Sequence, residues 1–301
     1  MRSPKGFWKI CLLCLLPPIF STAQDFQDIL PDQRQTTWMN AGKSATSSSN
    51  QTVNVLDFGA IANGNVDISP IMANVFNALG NDGGVVLFPE GTYLFRNPIV
   101  VPSNVILRGQ GASKTTLKFN LFEPGNAISA GGVFSFDYTE VLESIPKGGQ
   151  IFMVMDASNF EVGDYVLLQD NDTDLVTSSW ANNTTGQVNQ ISFIDGNTIR
   201  LKSPARRPFQ LSRDPKLFPL EMVENIGIEN LKILREDATT EKNSNIYFDL
   251  AVNCWVECIE SENCNFAHFE ATRSTNLEVT GSYFHHAFSY GSGGKAYGIM
   301  L

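Results

Sequence analysis

The chain has 301 residues, 43% of them hydrophobic, and a formal net charge of −10. That length and apolar content supply a large core, in one domain with an insertion or in two domains. The acidic balance argues against nucleic acid or an anionic membrane as the main partner, and it favours an acidic polysaccharide only where a basic patch or bridging cation offsets the repulsion. No membrane insertion is expected, because no stretch after the first 23 residues is long and apolar enough to span a bilayer.

Residues 1–23 place Arg2, Lys5 and Lys9 ahead of the apolar stretch ICLLCLLPPIF and a closing Ser-Thr-Ala. That order predicts a signal peptide cleaved after Ala23, hence a secreted protein, extracellular or periplasmic. The apolar part is too short to span a bilayer as a helix. Cys14 follows Leu13 rather than a small residue, so no lipid anchor is expected. Cleavage removes three cations and no acid, taking the charge from −10 to −13. Residues 24–50 read as a flexible lead-in, with Trp38 placed to dock it.

The block 51–146 opens with TVNVLDFGA and then DISPIMANVFNALG, which predicts one short helix. Ser69 is read as its cap, Pro70 as its first residue and Gly80 as its stop. Ile71, Val75 and Leu79 recur at i, i+4, i+8, with Met72 and Phe76 widening the stripe. Next comes GGVVLFPEGTYLF, where Val85 to Phe88 lack the alternation of a strand wetted on one face. More short strands follow, at VILRG (105–109) and TLKFN (116–120), and then at 226–233, 254–261 and 277–284. Leu87 and Leu107 lie 20 residues apart; Ile228, Val256 and Val279 are spaced by 28 and 23. Self-similarity on this scale predicts a parallel β-solenoid whose inward side chains stack into one column, with the helix covering the first open edge.

The segments VNVLDFGAIANGN, GGVVLFPEGTYLF and NVILRGQGASKTTLK resemble the start of the pectate-lyase-like superfamily. More narrowly they are similar to the domain shared by rhamnogalacturonases, epimerase-like proteins and pectate lyases. The resemblance covers residues 52–120 by motif and 221–301 by repeat pattern, and it implies an all-β, right-handed parallel β-helix. Members often carry paired aspartates before the cap helix; here NGNVDISP offers Asp67 alone.

Residues 147–209 read as a β-rich insertion, with Asp195-Gly196 at the centre of a tight type I′ hairpin. Its loop holds Trp180, a candidate sugar-stacking aromatic, and Asp170, Asp172 and Asp174. The three acids lack the glycine and final glutamate of an EF-hand, so they are expected to be solvated loop acids. No metal ligands are assigned; a calcium cofactor follows only from the superfamily's calcium-dependent lyases. Asn50, Asn171, Asn182 and Asn183 head Asn-x-Thr triplets, glycosylation acceptors in a eukaryotic secretory pathway.

Residues 210–301 supply further coils. Cys254 and Cys258 would lie roughly 13 Å apart along an extended strand, too far for a disulfide. Buried thiols are expected, with Cys258–Cys264 pairing across a bend as the alternative. FHHAFSYGSGGKAYGI (284–299) is the densest polar-aromatic stretch. His285, His286, Tyr290 and Lys295 are the candidate catalytic residues, because imidazole, phenol and amine can move protons near neutral pH. His268, Glu270, Arg273 and Tyr297 join Trp180 as candidate substrate-binding residues. The sequence stops at Leu301 inside a strand-like run, so it is expected to be a fragment, monomeric when full length, with missing C-terminal coils. The aspartate-rich coil motifs and Gly-His-Gly that the resemblance would bring for hydrolysis are missing at the expected positions. A polysaccharide lyase acting by β-elimination is therefore the leading expectation. A glycoside hydrolase with its carboxylates elsewhere and a non-catalytic glycan-binding adhesin are the alternatives.

Overall fold

A computed structural model describes Gly42, residues 51–291 and residues 293–301. The signal peptide, Trp38 and nearly all of the lead-in lie outside those residues.

Three parallel sheets wrap one apolar column. The first sheet stacks Thr52–Asn54, Gly84–Leu87, Val105–Arg108, Gly227–Glu229, Trp255–Glu257 and Glu278–Thr280. The second stacks Asn63–Asp67, Gly91–Phe95, Thr115–Phe119, Lys232–Arg235, Glu260–Glu262 and Tyr283–His285. The third stacks Ile99–Val100, Ile128–Gly131, Ile246–Asp249, Ala267–Thr272 and Tyr297–Met300. Each complete coil gives one short strand to each sheet, so hydrogen bonds run between coils rather than within them. The fold is a right-handed parallel β-helix.

Register explains the apolar runs. Val53, Val86, Leu107, Ile228, Val256 and Val279 pair in one unbroken inward ladder. Ile99, Ile128, Ile246, Phe269 and Ile299 form another. Leu107 pairs with Val86, not with Leu87 as the 20-residue spacing suggests; Leu87 faces Arg108 and is only half-buried. A slip of one residue exchanges inward and outward positions, and the strand's earlier start at Gly84 sets that slip.

The cap helix α1 spans Met72–Leu79 after a 3-10 turn at Ser69–Ile71. Met72, Val75 and Leu79 are buried against the column, while Ile71 and Phe76 are half-buried at its margin. Ser69 does not cap the helix. Asp67 Oδ1 accepts from the Ser69 amide (2.9 Å) and hydroxyl (2.6 Å), and Ser69 Oγ accepts from the Arg96 and Asn97 amides, each at 3.0 Å. The solitary Asp67 thus ties the cap to the next coil.

A separate antiparallel sheet and core lie between the third and fourth coils. The expected insertion was 147–209; the antiparallel strands run from Val133 to Glu221. In the hairpin Asp195 pairs with Thr198, so the turn is Gly196-Asn197 rather than Asp195-Gly196. Gly196 has φ +54° and Asn197 is not left-handed, which is the pattern of a type II′ turn.

Two of the three loop acids, Asp170 and Asp172, are buried, and Asp174 is exposed as expected. Asp170 is buried in an ion pair with Arg207. Asp172, fully buried, accepts from the amides of Asn183 (2.6 Å), Thr184 and Thr185 (both 3.0 Å) and from the Thr185 hydroxyl (2.9 Å). Burial pushes its carboxyl up, but those hydrogen bonds outweigh it and hold the group below its ordinary value. Asp174 pairs with Arg213 at 2.7 Å. All three fasten the loop. Cys254, Cys258 and Cys264 are free, the first and last buried and Cys258 exposed. Burial pushes the Cys254 thiol up to about 12 and that of Cys264 up to about 11.

Candidate functional site

The second sheet turns one ladder of polar side chains outward. Thr92, Thr116, Lys232, Glu260 and Tyr283 stand in one row, and Lys118, Leu234, Glu262 and His285 in the next. Lys232 Nζ donates to Glu260 Oε1 at 2.7 Å and to Glu262 Oε2 at 2.5 Å. Burial pushes the Lys232 ammonium down, but the two carboxylates outweigh it and raise it above its ordinary value. The hydrogen bond from Lys232 in turn holds the Glu260 carboxyl below its ordinary value. Both carboxylates thus accept from the same ammonium.

The next coil adds two imidazoles. His285 Nε2 lies 3.1 Å from Glu260 Oε1, and the Tyr283 ring stacks on His285 with centroids 4.5 Å apart. His286 follows in left-handed backbone at φ +59°, as does Asn263 one coil before it. That turn swings the His286 ring beside His285, bringing the two Nδ1 atoms to 2.6 Å. Tyr290 closes over the same turn: its phenolic oxygen accepts from the Ala287 amide at 2.8 Å, leaving its own proton to give. Lys295 is half-buried in the glycine-rich turn and has no partner among the described residues.

The expected substrate-binding set does not gather here. His268 is inside the column, 4% exposed, with both ring nitrogens taken. A carbonyl only accepts, so its Nε2 carries the proton and donates to His286 O at 3.0 Å. Its Nδ1 then accepts from Ser261 Oγ at 2.8 Å, and Asn245 Nδ2 donates to that hydroxyl at 2.9 Å. Burial pushes the imidazole down to about 4, so it stays neutral and cannot line a groove. Glu270 belongs to the third sheet and Arg273 follows the end of its strand. Glu270 accepts from Ser244 Oγ at 2.5 Å, and Arg273 pairs with Asp249 beside the Phe134 ring. Tyr297 opens the last strand of that sheet, its ring edge-on to Phe266 at 5.4 Å. Trp180 is 84% exposed on the antiparallel unit, with no contact to the His285 cluster among the described residues.

Lys232, Glu260, Glu262 and Tyr283 were missed by sequence reasoning. The signal was present: from Lys232 to Glu260 is 28 residues and from Glu260 to Tyr283 is 23, the same offsets that relate Ile228, Val256 and Val279.

Residues 52–267 match the family model described as rhamnogalacturonase A/epimerase, pectate lyase-like. The chain belongs to that family. Among curated members of the rhamnogalacturonase group, a probable rhamnogalacturonase C of Aspergillus niger is 30% identical over 138 residues, covering 41% of this chain and 29% of the relative. Rhamnogalacturonase A of Aspergillus niger is 29% identical over 130 residues, 39% of this chain and 29% of the relative. Rhamnogalacturonase A of Aspergillus aculeatus is 26% identical over 140 residues, 42% and 31% of the two chains. The chain thus spans about a third of these relatives' length. Among solved structures, the tailspike protein gp49 of Pseudomonas phage LKA1 aligns with TM-score 0.59 at 15% identity over 76% of this chain and 42% of its own. The tailspike gp61 of Pseudomonas phage phi297 gives 0.57 at 15% identity, over 76% and 41%. At that identity the likeness shows the β-helix alone. No helix among the described residues is long and apolar enough to cross a membrane.

Proposed function

We propose that the chain is part of a secreted polysaccharide-cleaving enzyme whose cleft follows the outward face of the second sheet. Family membership supports the polysaccharide. The finer reading is β-elimination from a uronate residue, and the doubly bound Lys232 carries it. Because Glu260 and Glu262 both accept from Lys232, and that bond holds the Glu260 carboxyl below its ordinary value, this pair is not arranged as the proton-donating acid that hydrolysis requires. The turn that follows the second sheet's last strand offers groups for elimination. Lys295, which has no partner among the described residues, is the base for the proton α to the sugar carboxylate. Tyr290, whose oxygen already accepts from Ala287, gives its own proton to the leaving oxygen. The imidazoles of His285 and His286 seat the carboxylate.

Hydrolysis is the second reading, favoured by the rhamnogalacturonase names of the relatives. Its acid and base would then come from the two-thirds of their length that this chain does not span. Incubation with a panel of uronate polymers separates the two. Ultraviolet absorbance from a new carbon–carbon double bond supports elimination; new reducing ends without it overturn elimination in favour of hydrolysis. Tight retention without either product marks a glycan-binding protein. In the lyase, Lys295→Met or Tyr290→Phe lowers kcat by about 10²–10⁴-fold at unchanged thermal stability.

A further inference from the structure

We propose that Glu262, His285 and His286 form a binding site for one divalent transition-metal ion of the zinc class. One ligand atom from each residue lies within 4.8 Å of the others. Register brings them together: Glu262 pairs with His285 across adjacent coils, and the left-handed backbone at His286 returns the third ligand to the same spot. This site rests on that geometry and holds whichever way a polysaccharide is cleaved.

Each ligand is held from behind by a different neighbour. His285 Nε2 lies 3.1 Å from Glu260 Oε1, so the hydrogen of that contact is placed on Nε2 and Nδ1 presents a lone pair. A carboxylate on the far nitrogen is the usual support of a metal-binding imidazole. Lys232 occupies one oxygen of Glu262, leaving the other to coordinate. His268 pins the His286 carbonyl at 3.0 Å, fixing the turn that aims its ring. The local charge of Lys232, Glu260 and Glu262 is net negative, so a dication is attracted rather than repelled.

The donor set decides the class of ion. Two imidazole nitrogens and one carboxylate oxygen suit Zn²⁺, Co²⁺ or Ni²⁺, whereas Ca²⁺ and Mg²⁺ take oxygen ligands. At metal–nitrogen bonds of about 2.0–2.1 Å, two nitrogens on a tetrahedral ion stand roughly 3.3 Å apart. The Nδ1 atoms, joined at 2.6 Å by a hydrogen bond whose proton His286 holds, must therefore part by about 0.7 Å, and that proton passes to His286 Nε2 or to solvent to free the second nitrogen. His286, the exposed member, is free to make that motion. Three protein ligands leave a position open on the solvent side.

The test is titration of the metal-free full chain with Co²⁺, following its visible absorption, and with Zn²⁺ by calorimetry. One Co²⁺ binds per chain and is displaced by one equivalent of Zn²⁺; Ca²⁺ at the same concentration does not bind at this site. Glu262→Gln and His285→Gln each weaken binding at least tenfold. His286→Gly does the same while tolerating the left-handed backbone, so its melting temperature reports that the fold is kept. Glu260→Gln, acting from behind, weakens binding about 10–100-fold. No saturable binding, or affinity unchanged in the three ligand variants, overturns the site. So does loss of binding in Cys258→Ser, which would move the ion to the exposed thiol. Binding without polymer cleavage upholds the site and removes only the lyase reading; cleavage without binding does the reverse.

Discussion

Among the described residues Arg235 is the largest side chain with no solvent exposure, and it stands in register with Phe119 on the inward face of the second sheet. Its guanidinium donates to Asp237 Oδ2 (2.7 Å), Gly125 O (2.6 Å) and Ser244 O (3.2 Å). One buried positive charge thereby ties three segments at the corner between the second and third sheets. The pair's net worth is small, because two charges leave water to form it. Breaking it is a different matter. Arg235→Met strands the Asp237 carboxylate and lowers stability by about 3–5 kcal/mol in urea unfolding, and adding Asp237→Asn restores part of that. A double variant as unstable as the single would show that the bonds to Gly125 O and Ser244 O and the packing, rather than the ion pair, carry the cost. Asp172 gives a residue-scale prediction in pH. Its folded pKa is depressed, so its contribution is full above the unfolded value of about 3.9 and is lost as pH falls through the lower folded value. Hydrogen exchange at the Asn183, Thr184 and Thr185 amides should accelerate below about pH 3.9, and Asp172→Asn should accelerate it at neutral pH already.

The coils show which elements were legible in the sequence. Ile228, Val256 and Val279 announce the ladder because inward positions must be apolar and recur once per coil. Leu87 misled because a one-residue slip moves a side chain to the opposite face while leaving the composition unchanged. A second periodic signal went unread. Asn104, Asn225, Asn253 and Asn276 each precede a first-sheet strand at φ between 53° and 64°, with Gly83 as their counterpart one coil earlier. Asn225, Asn253 and Asn276 repeat the spacings 28 and 23, and Asn225 Nδ2 donates to Asn104 Oδ1 at 2.9 Å. Asparagine tolerates left-handed backbone, so it marks the corner that closes each coil. The polar site was harder to see, since Lys232, Glu260 and His285 become neighbours only once that register is fixed. The ladder also sets a stability prediction. Leu107→Ala removes a fully buried side chain between Val86 and Ile228 and costs about 2–5 kcal/mol, whereas Leu87→Ala, half-buried one coil earlier and in register with Arg108, costs clearly less. Equal costs would contradict the register.

At the scale of the whole molecule, charge and proposed substrate are in tension. The chain carries a net charge of −10, and the outward face of the second sheet adds Glu260 and Glu262 against Lys232 alone in that cluster. A polyuronate approaching that face is repelled over the distance that salt leaves unscreened. The Debye length is about 30 Å at 0.01 M ionic strength and about 8 Å at 0.15 M. Added salt should therefore help a polyanion reach the cleft, opposite in sign to proteins that gain affinity by releasing counterions from a basic patch. KM for a uronate polymer should fall between 0.01 M and 0.15 M salt while kcat stays constant, because the proton transfers occur after contact. For a neutral glycan KM should not change. A KM that rises with salt would place the polymer on a basic surface elsewhere, and with it the cleft away from the second sheet.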